Sequence, residues 1–456
     1  MNLENRLTKE MLSKKKDRIK KILFYRVCGT GMGAAACLMK EAGFDIYGID
    51  RDYFPPMSDY LNESQVQLLS FDQVNLSEFD LIVVGNVVPK GSEDAKKIEN
   101  SGVFFCSFPE VIGEFILKNK NVIGVSGTHG KTTSSYFLVQ IFEQMGLRPG
   151  YLIGGVIEGR ASSSMGNSEY FIIESDEYDT AYFEKTPKFF HYEINHLIIT
   201  SIEYDHADIY ESLLEITDHF KTLSKKTNGI IVGNTDYEAI KNLVKIKPMV
   251  EINEKMFEMR ENGFVLEKSF YEFKIKQKYN ILNLLGGLVL LSELGFTEHV
   301  NLDLNSLKLV KRRQEYIGEF KGASVYDDFA HHPTALKLTI ESFSSDEKFG
   351  KLCVVFEPAS STARSDIFQK DLPECFLGAG IVFVIEPSRP TSAKNANTLN
   401  TEKLKLGLLD EGIICETVSD KKSLINLLSR FRENYDTIIL LSNGPLLGVK
   451  KELFDS

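Results

Sequence analysis

Apolar residues along this chain fall in short blocks separated by segments of helix length. Ile22-Leu-Phe-Tyr-Arg-Val, Leu81-Ile-Val-Val-Gly and Val103-Phe-Phe-Cys open the series. Tyr170-Phe-Ile-Ile, Leu197-Ile-Ile-Thr and Gly229-Ile-Ile-Val continue it. Ala323-Ser-Val-Tyr, Leu352-Cys-Val-Val-Phe, Ile381-Val-Phe-Val-Ile and Thr437-Ile-Ile-Leu-Leu close it. A strand covered on both faces has no polar side to show, so the pattern predicts parallel sheets and α/β domains. The blocks form three sets, giving domains over residues 21–120, 121–311 and 312–456. A polar, basic extension of residues 1–20, helical or frayed, precedes them. A chain of 456 residues is too long for one core, which agrees with this division. The Leu-rich stretch Ile281 to Leu291 is interrupted by Asn283, Gly286 and Gly287 and is short for a membrane span, so it is expected as a buried helix.

In parallel sheets ligands collect beyond the carboxyl ends of strands, and the polar motifs of this chain sit at such ends. Val122-Ile-Gly-Val-Ser leads into Gly127, Thr128, His129, Gly130, Lys131, Thr132 and Thr133, and a helix-like segment follows from Ser134 to Met145. This is the layout of a phosphate-binding loop, in which backbone N–H groups and a helix N-terminus cradle a polyphosphate. Lys131 would reach the outer phosphates, and the Thr132 hydroxyl would hold Mg²⁺. The loop is shorter than the common pattern, because Val125 stands where the first glycine belongs. A glycine turn that merely joins strand to helix is the plain alternative. Lys-Thr opening a helix after a buried strand argues against it, and the chain is read as an ATP user.

Other motifs surround this one. Glu174-Ser-Asp176-Glu177-Tyr-Asp179 closes a strand, where a carboxylate ligand for Mg²⁺ belongs; a solvated acidic loop is the alternative. His206 ends Ile198-Ile-Thr-Ser-Ile-Glu-Tyr-Asp-His and is a candidate for metal or phosphate contact, although many histidines are only structural. Arg312-Arg313 precedes Asp327-Asp328-Phe-Ala-His331-His332-Pro333 at a domain boundary, where arginines would clamp a γ-phosphate on domain closure. Gly29-Thr-Gly31-Met-Gly33-Ala34 follows the first strand, with Asp50 about 20 residues on, satisfying the fingerprint of a Rossmann-like diphosphate site. A nucleotide-diphosphate sugar fits that fingerprint as well as a dinucleotide, and tight strand–helix packing is its plain alternative.

Charge and cysteine usage narrow the class. The chain carries 53 Lys and Arg against 64 Asp and Glu, a formal net charge of −11, which argues against non-specific nucleic-acid binding. Anionic substrates must then be drawn in locally. The six cysteines lack metal-ligand spacing and read as free, buried thiols of a reducing compartment. No secretory signal or membrane insertion is expected, and the cytoplasm is the default.

Taken in order, Gly127-Thr-His-Gly-Lys-Thr-Thr, Glu174-Ser-Asp-Glu, Asp205-His206, Asn280-x-x-Asn283, Arg312-Arg313 and Asp327-Asp328-Phe-Ala-His-His-Pro resemble the Mur ligase family, ATP-dependent amide-forming enzymes of bacterial cell-wall synthesis. The resemblance covers the chain from about Ile22. It implies three domains: a Rossmann-like UDP-sugar domain, a P-loop ATPase-like centre and a Rossmann-like peptide domain. Three further stretches point to one branch of the family. They are Glu177-Tyr-Asp-Thr-Ala-Tyr-Phe-Glu-Lys, Glu203-Tyr-Asp-His-Ala-Asp-Ile-Tyr and Phe356-Glu-Pro-Ala-Ser-Ser-Thr-Ala-Arg-Ser-Asp-Ile-Phe-Gln. That branch joins L-alanyl-γ-D-glutamyl-meso-diaminopimelate to UDP-N-acetylmuramate in peptidoglycan recycling. The ligase that adds L-alanine alone in de novo peptidoglycan synthesis is the alternative.

The resemblance implies roles residue by residue. Gly127 to Thr133 would bind ATP phosphates, and Thr132, Glu174 and His206 would hold Mg²⁺. Asn280 would contact adenine, with Asn283 of the ATP site on the same helix turn, while Arg313 and Asp328 would meet phosphate and ribose. Gly29, Gly31, Met32, Gly33 and Asp50 would form the UDP-sugar site, with Asn86 a lesser member. His331 and Arg364 are the expected peptide contacts. Ala359 stands where this branch carries arginine after Phe-Glu-Pro, so a peptide contact is lost or moved to Arg364. Lys221 is a lesser candidate for the carbamylated lysine that some relatives use. ATP would phosphorylate the lactyl carboxylate, and the peptide amine would attack the acyl phosphate, its proton taken by His206, His331 or Asp328. Lys131, Glu174, His206, Arg313 and Asp328 are therefore the catalytic set. Two rivals, a nicotinamide oxidoreductase built on Gly29 and a P-loop regulator, each leave part of this set unexplained.

Overall fold

The apolar blocks form three separate sheets in the computed structural model, which describes residues 1–296 and 302–453. The chain divides into two compact units, Met1–Glu203 with Ile216–Val310, and Tyr204–Glu215 with Lys311–Ser456. The first unit holds two of the sheets and the second holds the third.

The first sheet comprises β1 (Lys21–Tyr25), β2 (Asp45–Asp50), β3 (Gln67–Ser70), β4 (Leu81–Val84) and β5 (Phe104–Ser107). All are parallel, in the order β3-β2-β1-β4-β5, so the strand order reverses at β1 and opens a crevice between β1 and β4. Residues 1–20 are built into this domain rather than frayed. Leu7 N donates to Phe105 O at 2.8 Å and Phe105 N to Asn5 O at 3.0 Å, which covers the edge of β5. A helix over Lys9–Lys15 follows, capped by the Thr8 side chain and burying Leu12.

The central sheet contains β6 (Asn121–Ser126), β7 (Gly150–Leu152), β8 (Ser163–Ser164) and β9 (Tyr170–Glu174). After a hairpin of β10 (Asp179–Ala181) and β11 (Glu184–Pro187), it is completed by β12 (His196–Ile199), β13 (Ile231–Asn234) and β14 (Val250–Ile252). The order is β14-β13-β12-β6-β9-β7-β8, antiparallel only at β7–β8. Helices Lys131–Gln144 and Lys278–Glu293 share one core with it, including Phe137, Leu138, Leu284, Leu285 and Leu288. The Leu-rich stretch is thus the expected buried helix. A meander of β15 (Phe257–Arg260), β16 (Gly263–Leu266) and β17 (Ser269–Glu272) was not foreseen, because its partly exposed strands offer no solid apolar block.

The second unit's sheet contains β18 (Glu315–Phe320), β19 (Ala323–Asp328), β20 (Leu352–Glu357), β21 (Ile381–Ile385), β22 (Ile414–Val418) and β23 (Thr437–Ser442). It runs β18-β19-β23-β20-β21-β22, parallel except at β18–β19. Its two faces carry separate cores, one around Leu336, Val354 and Phe376, the other around Val325, Phe383 and Leu440. No helix among the described residues is long and apolar enough to cross a membrane.

Candidate active site

β6 ends at Ser126 and the loop turns at once. Gly127 has φ +136° and Gly130 φ +84°, both in the region that favours glycine. A Cβ on Gly127 would meet Ser201 N and O at 2.8 Å, and one on Gly130 would strike Asn283 Oδ1. The loop is laced to the chain that follows β12. Thr128 N donates to Ser201 O at 3.0 Å, His129 N to Ser201 Oγ at 2.7 Å, and Glu203 N to Thr128 Oγ1 at 2.9 Å. His129 Nε2 lies 3.1 Å from Glu203 Oε2. Gly130 caps the helix Lys131–Gln144 without a side-chain hydrogen bond, so its first N–H groups face the loop mouth.

Lys131 Nζ donates to Gly127 O at 2.6 Å and to Glu177 Oε2 at 2.9 Å, with Asp176 Oδ1 at 3.6 Å. Burial works to lower the pKa of this ammonium, but Glu177 and Asp176 outweigh it and hold Lys131 charged above the usual lysine range. Asp176 is itself tied to Lys188 Nζ at 2.6 Å. Glu177 was not among the site residues expected, although it stands in the acidic run that was singled out.

Glu174, at the tip of β9, has its carboxyl pKa raised by burial, with the Thr132 hydroxyl, Lys131 and the Gly154 N–H opposing that rise. Its Oε1 is buried without a hydrogen-bond partner. A buried carboxylate oxygen left unpaired near a threonine hydroxyl fits Mg²⁺, which takes hard oxygen ligands and fills the rest of its shell with water and phosphate oxygens. Glycines make room for it: a Cβ on Gly154 would sit 2.9 Å from Glu174 Oε2, and one on Gly155 2.5 Å from Thr132 Cγ2. These two glycines were also missed; the Gly-Gly pair after β7 was the available signal. Asn280 is buried and donates to Gln277 Oε1 at 3.3 Å, one turn before Asn283 on the same helix.

The crevice of the first sheet gathers the other expected group. Gly29 caps the helix Thr30–Glu41, and Gly33 N donates to Gly29 O at 2.8 Å. Gly33 is where helix meets strand, since a Cβ there would strike Met57 and approach Val27 O at 3.0 Å, whereas Gly29 stands open. Met32 lies against Gly85, which brings exposed Asn86 to the same crevice. Asp50 organises the loop: its carboxylate accepts from Cys28 N at 2.8 Å and Arg26 Nη1 at 3.0 Å.

In the second unit, Asp205 and His206 lie on a turn, with His206 at φ +55° and its N donating to Asp205 Oδ1 at 2.7 Å. Burial alone would raise the Asp205 pKa, but the imidazoles of His206, His331 and His332 hold it below the usual carboxylate range. Asp205, His331, His332, Thr362 and Phe368 line a cavity of about 10 Å³, room for one water. Asp328 is engaged locally, accepting from Gln314 N and Ala330 N, each at 2.8 Å. Burial raises its pKa and Arg313 opposes the rise. Arg312 and Arg313 flank the Phe329 ring, and Arg312 Nε lies 3.3 Å from Asp327 Oδ2. Arg364 is buried with its Nε unpartnered, and its pKa is lowered by burial and by neighbouring Arg389. Lys221 sits part-exposed, 3.9 Å from Asp218 on the same helix.

A short glycine-bounded loop opening a helix beside a buried carboxylate, together with a Rossmann-like sheet and its open glycine crevice, has the layout of a nucleotide-dependent α/β enzyme. The Mur ligase middle domain matches residues 125–291 and the Mur ligase glutamate ligase domain residues 312–444; the chain belongs to the Mur ligase family and is an ATP-dependent ligase. Among its relatives, the UDP-N-acetylmuramate–L-alanyl-γ-D-glutamyl-meso-2,6-diaminoheptandioate ligase of Haemophilus influenzae is 28% identical, covering 96% of this chain and 99% of that protein. The UDP-N-acetylmuramate:L-alanyl-γ-D-glutamyl-meso-diaminopimelate ligase of Neisseria meningitides is 32% identical with a TM-score of 0.59, covering 64% of this chain and 100% of that one. A murein peptide ligase from Psychrobacter arcticus superposes with a TM-score of 0.71 at 25% identity, over 95% of this chain and 98% of that one.

Proposed function

We propose that this protein joins L-alanyl-γ-D-glutamyl-meso-diaminopimelate to the lactyl carboxylate of UDP-N-acetylmuramate, converting ATP to ADP and phosphate. The observation that carries this reading is similarity to ligases described as acting on that substrate pair, along essentially their whole length. The expected chemistry follows from what a carboxylate lacks. It does not react with an amine unless its oxygen is made a leaving group, and transfer of the γ-phosphoryl group does this. The amine then attacks the acyl carbon, and phosphate departs with the electron pair of the C–O bond.

In this reading the N–H groups of Gly127 to Thr133 bind the phosphates, and Lys131 meets them as a cation because Glu177 and Asp176 keep it protonated. Thr132 and Glu174 would hold Mg²⁺, with His206 as a further ligand; the ion would neutralise charge on the outer phosphates. Asn280 serves the adenine side, Asn283, whose Oδ1 lies against Gly130, the phosphate loop, and Arg313 and Asp328 the phosphate and ribose. Gly29, Gly31, Met32, Gly33, Asp50 and Asn86 serve the UDP-sugar, consistent with the open Gly29 N-terminus and the closed packing at Gly33. Asp328 already accepts two backbone N–H groups, and a His206 nitrogen given to Mg²⁺ has no lone pair left for a proton, which favours His331 as the group that takes the amine's proton. Arg364, buried with an unpartnered Nε, suits a peptide carboxylate and compensates for Ala359. A cytoplasmic location accords with six buried free thiols.

The test is an acceptor panel. ADP release is measured with ATP, Mg²⁺ and UDP-N-acetylmuramate, adding either the tripeptide or L-alanine. Turnover with the tripeptide at least about 100-fold above L-alanine is expected, of the order set by unpaired polar groups in a mismatched site. Preference for L-alanine would move the protein to the other branch.

A further inference from the structure

The turn that carries His206 is held by residues far away in sequence. Residues Tyr204–Glu215 lie between strands β12 and β13 in the chain, yet they belong to the second unit. His206 adopts φ +55°, a left-handed conformation that a non-glycine residue keeps only when its surroundings fix it. Part of the fixing is local: Ile209 N and Tyr210 N both donate to His206 O, at 2.8 and 3.0 Å. The rest comes from two loops of the second unit. Ala207, fully buried, has both main-chain groups taken, its N–H by Thr362 Oγ1 at 3.0 Å and its C=O by Lys394 N at 2.8 Å. The Lys394 ammonium then reaches past Ala207 to Ile209 O at 2.6 Å, with Glu211 Oε1 at 3.8 Å. His332 Nε2 meets Tyr204 O at 3.2 Å on the other flank.

We propose that Lys394 is a positioning residue for His206, clamping the Ala207–Ile209 backbone from both its main chain and its ammonium so that the imidazole is presented in one orientation. The inference rests on the reading of His206 as a metal ligand. An ammonium–carbonyl bond is charge-assisted and directional, and its loss removes the tie between the Ile209 carbonyl and the loop that carries Lys394. Lys394 is itself partly exposed and lies in no core cluster, so its part in the fold is small. Ligand orientation is where such an outer group exerts its effect.

The experiment is Mn²⁺ titration of the full-length protein with ADP, read by electron paramagnetic resonance, with the thermal unfolding midpoint measured in parallel. Lys394→Ala should bind Mn²⁺ about 10-fold more weakly with an unchanged midpoint, and Lys394→Arg should recover most of the affinity. Thr362→Val removes the neighbouring anchor without changing charge and should weaken Mn²⁺ in the same sense. His206→Ala tests the reading beneath: unaltered Mn²⁺ affinity there would remove His206 as a ligand. If His206→Ala weakens Mn²⁺ while Lys394→Ala, or Thr362→Val should Lys394→Ala not fold, keeps the parental affinity, the clamp is overturned and the metal reading stands.

Discussion

At the residue scale the site is a set of charges whose burial decides their behaviour. Lys131 is held between Gly127 O, Glu177 and Asp176, so its positive charge is fixed in place before any nucleotide arrives. Replacing it by methionine keeps the stem and removes the charge. ADP release is expected to fall by about 100-fold or more, with the far-ultraviolet circular dichroism spectrum retained; parental turnover would remove Lys131 from the chemistry. The sequence singles out this residue because a lysine opening a helix after a buried strand has few other uses, and the structure places it at the start of the helix Lys131–Gln144. Its partner Glu177 was not singled out, because nothing in Glu174-Ser-Asp-Glu says which carboxylate turns toward the lysine. The same holds for Thr132 and Glu174: their types announce metal chemistry, while the unpaired Oε1 that sharpens the claim exists only once β9 and β7 lie side by side.

Elements show where the pattern of apolar blocks was informative and where it was blind. Strands covered on both faces were readable, since Leu81–Val84, Leu352–Glu357 and Thr437–Ser442 are buried throughout. The edge-covering segment at the N-terminus was not, because one parallel bridge at Arg6 leaves no periodicity. Arg6 ties that segment down, donating to Glu110 Oε1 at 3.1 Å and to Glu184 Oε2 at 2.5 Å. Burial raises the Glu110 pKa while Arg6 opposes the rise. Arg6→Ala should cost about 1–3 kcal/mol at pH 7 by chemical denaturation, below the full penalty of a broken buried pair because Glu110 can take up a proton. The cost should shrink toward pH 5; a pH-independent loss would show that packing, not charge, is what Arg6 supplies.

A second element-scale effect lies between β12 and β13. His196 Nδ1 accepts from Ile230 N at 3.1 Å, which requires a neutral ring, and burial holds the His196 pKa below the usual histidine value. The unfolded chain binds a proton below about pH 6.5, while the folded one resists it. The stabilisation is therefore complete above that pH and is lost as pH falls below it. The parent should therefore lose more stability than His196→Asn between pH 7 and 5, measured by chemical denaturation; equal losses would show that the ring's protonation is not coupled to folding.

For the whole molecule, the net charge of −11 gives anionic substrates no general attraction, so local cations such as Lys131 must supply it. Removing divalent metal with EDTA should abolish ADP release, and Mg²⁺ or Mn²⁺ should restore it; metal-independent turnover would contradict the role given to Glu174 and Thr132. The amino-acid sequence by itself determined the α/β class and the family and located the glycine-bounded turn after β6, because buried strands and glycine turns are local, short-range requirements. Only the tertiary structure decided which carboxylate faces Lys131, that the first residues seal a sheet edge, and that the His206 turn is held by Thr362 and Lys394. Those contacts join residues tens to hundreds of positions apart, and their energies depend on burial and orientation, which no linear pattern encodes.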